Sequence, residues 1–245
     1  MVAGRGFMPR PRKGGREQSE RWKGETRSGF PLQVDGRGQP GGAAVPRLIG
    51  GPSDLVISFE ERRVLVRLGY RKPACDIDQG IRLIVHEEAE NAKKLVRPQV
   101  LAAILDPDEL PDHPVFRNAA KAALCLCTIG PELEGTVARL MSGGDMLRGL
   151  VLDWLGSEAV ASVSKQAEAW LKKEGTALGL WPGKRFAPGY KGWDVSGQKI
   201  IFAVLPAAKI GVRLTESFMM IPRKSYSFRI NYFRDQESAT RRRSA

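Results

Sequence analysis

Apolar positions recur with a regular period only from about residue 54 onward. Ser58-Phe59-Glu60-Glu61 has capping-box spacing, in which a Ser hydroxyl and a Glu three residues on satisfy open amides, and predicts a helix running to about Leu68. Ile77, Ile81, Ile84 and Val85 fall on one helical face and predict a second helix from Asp76 to Leu95, ended by Arg97-Pro98. Lys121 to Thr128 is short, apolar and followed by Gly130-Pro131, which predicts a buried strand with Cys125 and Cys127 on one face. Glu132 to Met141 and Asp145 to Lys173 are predicted helices, the second broken at Gly156, with a core stripe through Leu147, Leu150, Val151, Trp154, Leu155, Ala159 and Val163. Beyond them the pattern gives a loop over Lys184 to Trp193, a helix over Ser196 to Leu205, and strands over Val212–Thr215, Phe218–Ile221 and Ser225–Phe233. Helices first and strands late predict an α+β domain over residues 54–233.

The segment before this domain has another character. Residues 1–53 hold twelve Gly and six Pro, with ten basic and four acidic residues, and too little apolar surface to offset the entropy of ordering. It reads as a flexible basic tail or as an RG-rich nucleic-acid tether using Arg5, Arg10, Arg12, Lys13 and Arg16; sparse aromatics disfavour the tether. Residues 234–245 form a second short basic tail. Most of the formal charge of +12 therefore lies at the two ends, which weakens the case for a nucleic-acid-binding fold.

Other classes are disfavoured by what the chain lacks. No run approaches the roughly 18 to 20 apolar residues of a spanning helix, and the N-terminus has no apolar signal core, so a cytoplasmic location without membrane is expected. Three Cys and two His without a CxxC discourage a disulfide framework or a metal site. Cys125 and Cys127 read as inert core thiols in preference to a redox or soft-metal pair. There is no GxxxxGK[ST] loop, no GxGxxG between strand and helix, and no GxSxG elbow. His86 reads as a surface residue and His113 as loop punctuation, and no catalytic side chain is assigned.

The candidate chemistry lies in Arg185-Phe186-Ala187-Pro188-Gly189-Tyr190. A Pro-Gly turn exposes backbone groups, Arg185 offers two donors to a carboxylate, and Tyr190 offers an aromatic face to a cation. Together these suit a zwitterion with a cationic centre, and equally a plain turn with a solvated Arg.

This segment resembles the R-x-x-x-G-Y motif of the activation domain of cobalamin-dependent methionine synthase. A second segment, Gly211-Val212-Arg213-Leu214-Thr215-Glu216-Ser217-Phe218-Met219-Met220, is similar to that family's G-(hydrophobic)-x-L-T-E-S-x-x-M stretch, and Pro222 and Ser225 to Ser227 follow as a Pro and a Ser-x-Ser strand. The resemblance implies a C-shaped α+β domain with N-terminal helices and a twisted antiparallel sheet over residues 54–233. It also implies a shallow S-adenosylmethionine site formed by Arg185 at the methionine carboxylate, backbone around Ala187, Gly189 at close approach, Tyr190 facing the ligand, and Glu216 near a polar ligand group. Glu158 and Asp153 are weaker candidates, explained as well by a helix surface or cap. The implied task is reactivation in methionine biosynthesis: oxidised cobalamin on a partner protein is reduced by a flavodoxin- or ferredoxin-like donor and methylated from S-adenosylmethionine. The family's D-x-H-x-x-G cobalamin motif, homocysteine domain and folate domain have no counterpart, so the expectation is a stand-alone subunit serving a separate corrinoid protein, such as a truncated methionine synthase. Asn231 to Asp235 does not match the family's later tyrosine-bearing segment, which motivates the alternative of a non-catalytic partner-binding protein that kept the fold and lost the ligand.

Overall fold

The structure is a computed structural model and describes residues 47–52, 54–70, 77–190 and 192–241. The tether candidates Arg5 to Arg16 lie outside the described residues. Five strands form one sheet in the order β1-β2-β3-β7-β4: β1 (Arg47–Gly50), β2 (Gln99–Leu105), β3 (Lys121–Thr128), β7 (Ser225–Phe233) and β4 (Trp181–Phe186). Every pairing is antiparallel.

Alternation along the strands divides the core between two faces. On β3, Ala123 and Cys125 join Ala167 and Leu171 of helix α4 (Met146–Ala177), and Cys127 joins Val163 of the same helix. Ala122, Leu124 and Leu126 point the other way, to Trp193 and to Ile201 of helix α5 (Gln198–Val204). On β7, Phe228, Ile230 and Tyr232 face α4, where the Tyr232 hydroxyl donates to the Leu171 carbonyl at 2.8 Å. Ser227 faces α5 and donates to Gln198 Oε1 at 2.7 Å.

Helices α1 (Glu61–Arg67), α2 (Gln79–Leu95) and α3 (Glu132–Ser142) gather around the first half of α4. The expected capping box at Ser58 does not form: α1 starts at Glu61, and its N-cap Glu60 makes no side-chain cap. Residues 54–60 instead form no regular element, with Leu55, Ile57 and Phe59 packed on the core and the residues between them exposed. Gln166 holds this segment by accepting from the Val56 amide at 3.0 Å and donating to its carbonyl at 2.7 Å. The α2 start is capped as its sequence suggests, with Asp78 accepting from the Ile81 amide.

The expected break at Gly156 is also absent, because α4 runs unbroken for 32 residues. A Cβ at Gly156 would sit 2.6 Å from Leu133 Cδ2, so the glycine lets α3 press against α4. Three further differences concern strands. The apolar run of β2 carries no alternation to announce it, since five of its seven residues are buried on both faces. β4 takes over part of the predicted loop. β1 lies inside the stretch assigned to the N-terminal tail, and a short helix α6 (Gln236–Arg241) inside the C-terminal one. Strands and helices are thus interleaved within an α+β architecture. Strands β5 (Arg213–Leu214) and β6 (Met220–Ile221) make a separate hairpin.

Candidate functional site

β4 is the sheet's edge, and its pairing places Arg185 opposite Ile230 of β7. Alternation sends Phe186 to the α5 face, stacked on Trp193 with ring centroids 6.1 Å apart, and Arg185 to the α4 face. There Arg185 Nη1 donates to Ser164 Oγ at 3.1 Å, and Nε lies 3.3 Å from a Glu168 carboxylate oxygen. Ser164 and Glu168 are four residues apart on α4, so one helix face presents both. The guanidinium also lies 5.3 Å from the Tyr226 ring centroid and 5.9 Å from that of Phe228. With 30% of its side chain exposed, Arg185 keeps an open flank for a ligand.

The loop after β4 is a tight turn. The Gly189 amide donates to the Trp193 carbonyl at 2.8 Å and the Trp193 amide to the Tyr190 carbonyl at 2.9 Å. Gly189 has φ +91°, a conformation that disfavours side chains, and the space where a Cβ would go is open. Its glycine is thus required by the turn, and the same vacancy leaves backbone accessible. Ala187 is buried under the turn, and Tyr190 stands 60% exposed at its outer side. Burial pushes the Tyr226 phenol up to about 12, against the pull of the Arg185 charge, with Tyr190 alongside. Tyr226 therefore remains a neutral hydroxyl beside the guanidinium at neutral pH.

Arg185, Ala187, Gly189 and Tyr190 are gathered in one place. Glu216 is exposed between β5 and β6, next to Thr215 and Ser217, whose hydroxyls lie 3.0 Å apart. Val212 and Met220 at the base of that hairpin pack into the α5-face core, across the sheet from the Arg185 guanidinium. Glu158 binds Arg63 at 3.0 Å and Arg67 at 3.1 Å, tying α1 to α4, and Asp153 binds Lys224 at 2.8 Å. Sequence reasoning missed Ser164, Glu168 and Tyr226. The four-residue spacing of the first two is visible in the sequence, but only the packing of α4 on β4 gives it meaning.

The fold is similar to that in a crystal structure of the MetH reactivation domain bound to AdoHcy, with a TM-score of 0.51, 14% sequence identity, and coverage of 74% of this chain and 71% of that one. Residues 158–239 match the family model for the activation domain of vitamin B12-dependent methionine synthase. Both motif segments that carry the resemblance fall inside this match, and the resemblance is borne out over it. No curated protein matches the chain. Among the described residues, no helix is long and apolar enough to cross a membrane.

Proposed function

We propose that the chain binds S-adenosylmethionine at the Arg185 site and supports reductive methylation of a corrinoid held by a partner protein, with electrons from a flavodoxin- or ferredoxin-like donor. The observation that carries this reading is the placement of Arg185 between Ser164 and Glu168 of α4, beside Tyr226 and the exposed Tyr190. S-adenosylmethionine supplies a methyl group on a sulfonium, together with a carboxylate and an ammonium.

The residues present fit such a ligand. Arg185 answers the carboxylate through its open flank, and Glu168, whose side chain is 20% exposed, answers the ammonium. The Tyr190 ring offers its face to the sulfonium, and the backbone from Ala187 to Gly189 contributes polar groups at the turn. Glu168 and Ser164 hold the guanidinium in place before a ligand arrives, which lowers the ordering cost of binding. The contribution to methyl transfer is orientation: the ligand is fixed at an edge strand, where a second large molecule has access.

Titration of the protein with S-adenosylmethionine by calorimetry is the direct test, followed by formation of methylcobalamin on an added corrinoid protein under reducing conditions. Saturable binding with a methylcobalamin spectrum is expected; absence of binding up to millimolar ligand, with or without the corrinoid protein, overturns the reading. The contacts Arg185 already makes with Glu168 and Ser164 favour a second reading, in which the fold serves partner docking alone. A corrinoid protein captured by a variant unable to bind S-adenosylmethionine would support it.

A further inference from the structure

A cavity of about 590 Å³ lies between β4, β7, the turn at Pro114–Phe116 and α6. Its walls include Val115, Lys184, Phe186, Arg229, Asn231 and Phe233. Arg185 adjoins the wall as well, but its guanidinium is committed to Ser164 and Glu168 on the α4 face. Lys184 and Phe233 belong to the other face by strand alternation, as do Arg229 and Asn231. The size is that of a small-molecule site.

The polar groups of this cavity are specific. Asn231 is 1% exposed and donates from Nδ2 to the Val115 carbonyl at 2.9 Å. A carbonyl only accepts, so this bond fixes the amide's orientation and leaves Oδ1 as the other pole. Among the described residues Oδ1 has no hydrogen-bond partner, although such a buried acceptor is costly to leave empty. Arg229 is 8% exposed, with its guanidinium 5.3 Å from the Phe186 ring centroid and 6.0 Å from that of Phe116. Lys184 brings a second cation at the exposed rim. None of the described residues lining the cavity is acidic.

We infer that this cavity is a second ligand site, for a small aromatic anion that carries an N–H or O–H donor. The anionic group meets Lys184 and Arg229, the donor meets Asn231 Oδ1, and the ring lies against Phe186 and Phe233. Arg suits the anion because its planar fork engages two oxygens, while its flat face keeps contact with the rings. The site is independent of the S-adenosylmethionine reading, since the two use opposite faces of β4.

The test uses 8-anilinonaphthalene-1-sulfonate, an aromatic anion with an N–H, followed by fluorescence, with anthranilate as competitor. One-to-one binding is expected, displaced by anthranilate and unaffected by S-adenosylmethionine. Lys184→Met should weaken the dye about threefold, as for an exposed charge, and Arg229→Met about tenfold or more, as for a charged hydrogen bond. Folding of each variant is checked by thermal melting; if Arg229→Met does not fold, Lys184→Met and Asn231→Asp, which sets a like charge against the anion, decide. Unchanged dye affinity in the folded variants, failure of anthranilate to compete, or displacement by S-adenosylmethionine overturns the inference.

Discussion

Arg185 is held by a hydroxyl, a carboxylate and two aromatic faces at once, which fixes where its remaining donors point. Truncating Arg185 to Ala should cost about 1.5 to 3 kcal/mol of S-adenosylmethionine binding, the worth of a charged hydrogen bond, measured by calorimetry. Arg185→Lys should recover little of it, because an ammonium cannot contact Ser164 and Glu168 and still fork toward a ligand. The cysteines show the opposite use of burial. Cys125 and Cys127 are free and buried, and burial pushes the Cys127 thiol up to about 12 and raises that of Cys125 as well. Neither thiolate is populated near neutral pH, so both should resist a thiol reagent in the native protein and label on denaturation, as read by mass spectrometry. This agrees with the expectation of inert core thiols.

At the scale of elements, glycines separate helix propensity from packing. Gly135 lies in α3, where a Cβ would approach only Arg139 Nη1 at 3.7 Å, an ordinary contact. Gly135→Ala should therefore stabilise the protein by about 0.5 to 1 kcal/mol. Gly156→Ala gains the same propensity but drives a methyl into Leu133, and a net loss of about 1 to 2 kcal/mol is expected; chemical denaturation compares the pair. The same glycine shows why the sequence misled. Gly156 signals a break by propensity, and only the nearness of α3 reveals a contact point. Ser58 signals a cap, but packing of Leu55, Ile57 and Phe59 on the core keeps that segment out of the helix, which starts at Glu61. The strands β3 and β7 and the helices α2 and α3 were legible because their patterns are local. β2 was not, because burial on both faces erases the period. Arg185 to Tyr190 was legible as one contiguous segment, though its start is strand and not loop, whereas Ser164, Glu168 and Tyr226 reach it only through long-range packing of α4, β4 and β7.

At the scale of the whole molecule, stability should fall in alkaline solution. The thiol of Cys127 moves from an ordinary value of 9.0 to about 12 on folding, and the phenol of Tyr226 from 10.0 to about 12. The raised groups contribute fully below pH 9, where both states are protonated. Their contribution declines between pH 9 and 12, as the unfolded chain releases protons that the native state keeps. Urea denaturation midpoints across this range should decrease steadily.

The order of the sheet carries a further consequence. β7 lies between β4 and β3, in register with β3 from Ser225 opposite Thr128 to Tyr232 opposite Lys121. The stretch that matches the family model begins at residue 158, so β3 and the first turns of α4, residues 146–157, lie upstream of it. Excised alone, residues 158–239 would leave the β7 edge that pairs with β3, Ser225 to Tyr232, without its neighbour strand, flanked by apolar side chains. Such a bare edge invites chain-to-chain pairing. That fragment should therefore be recovered as aggregate, and co-expression with residues 47–157 should return it to solution by restoring the missing neighbour strand.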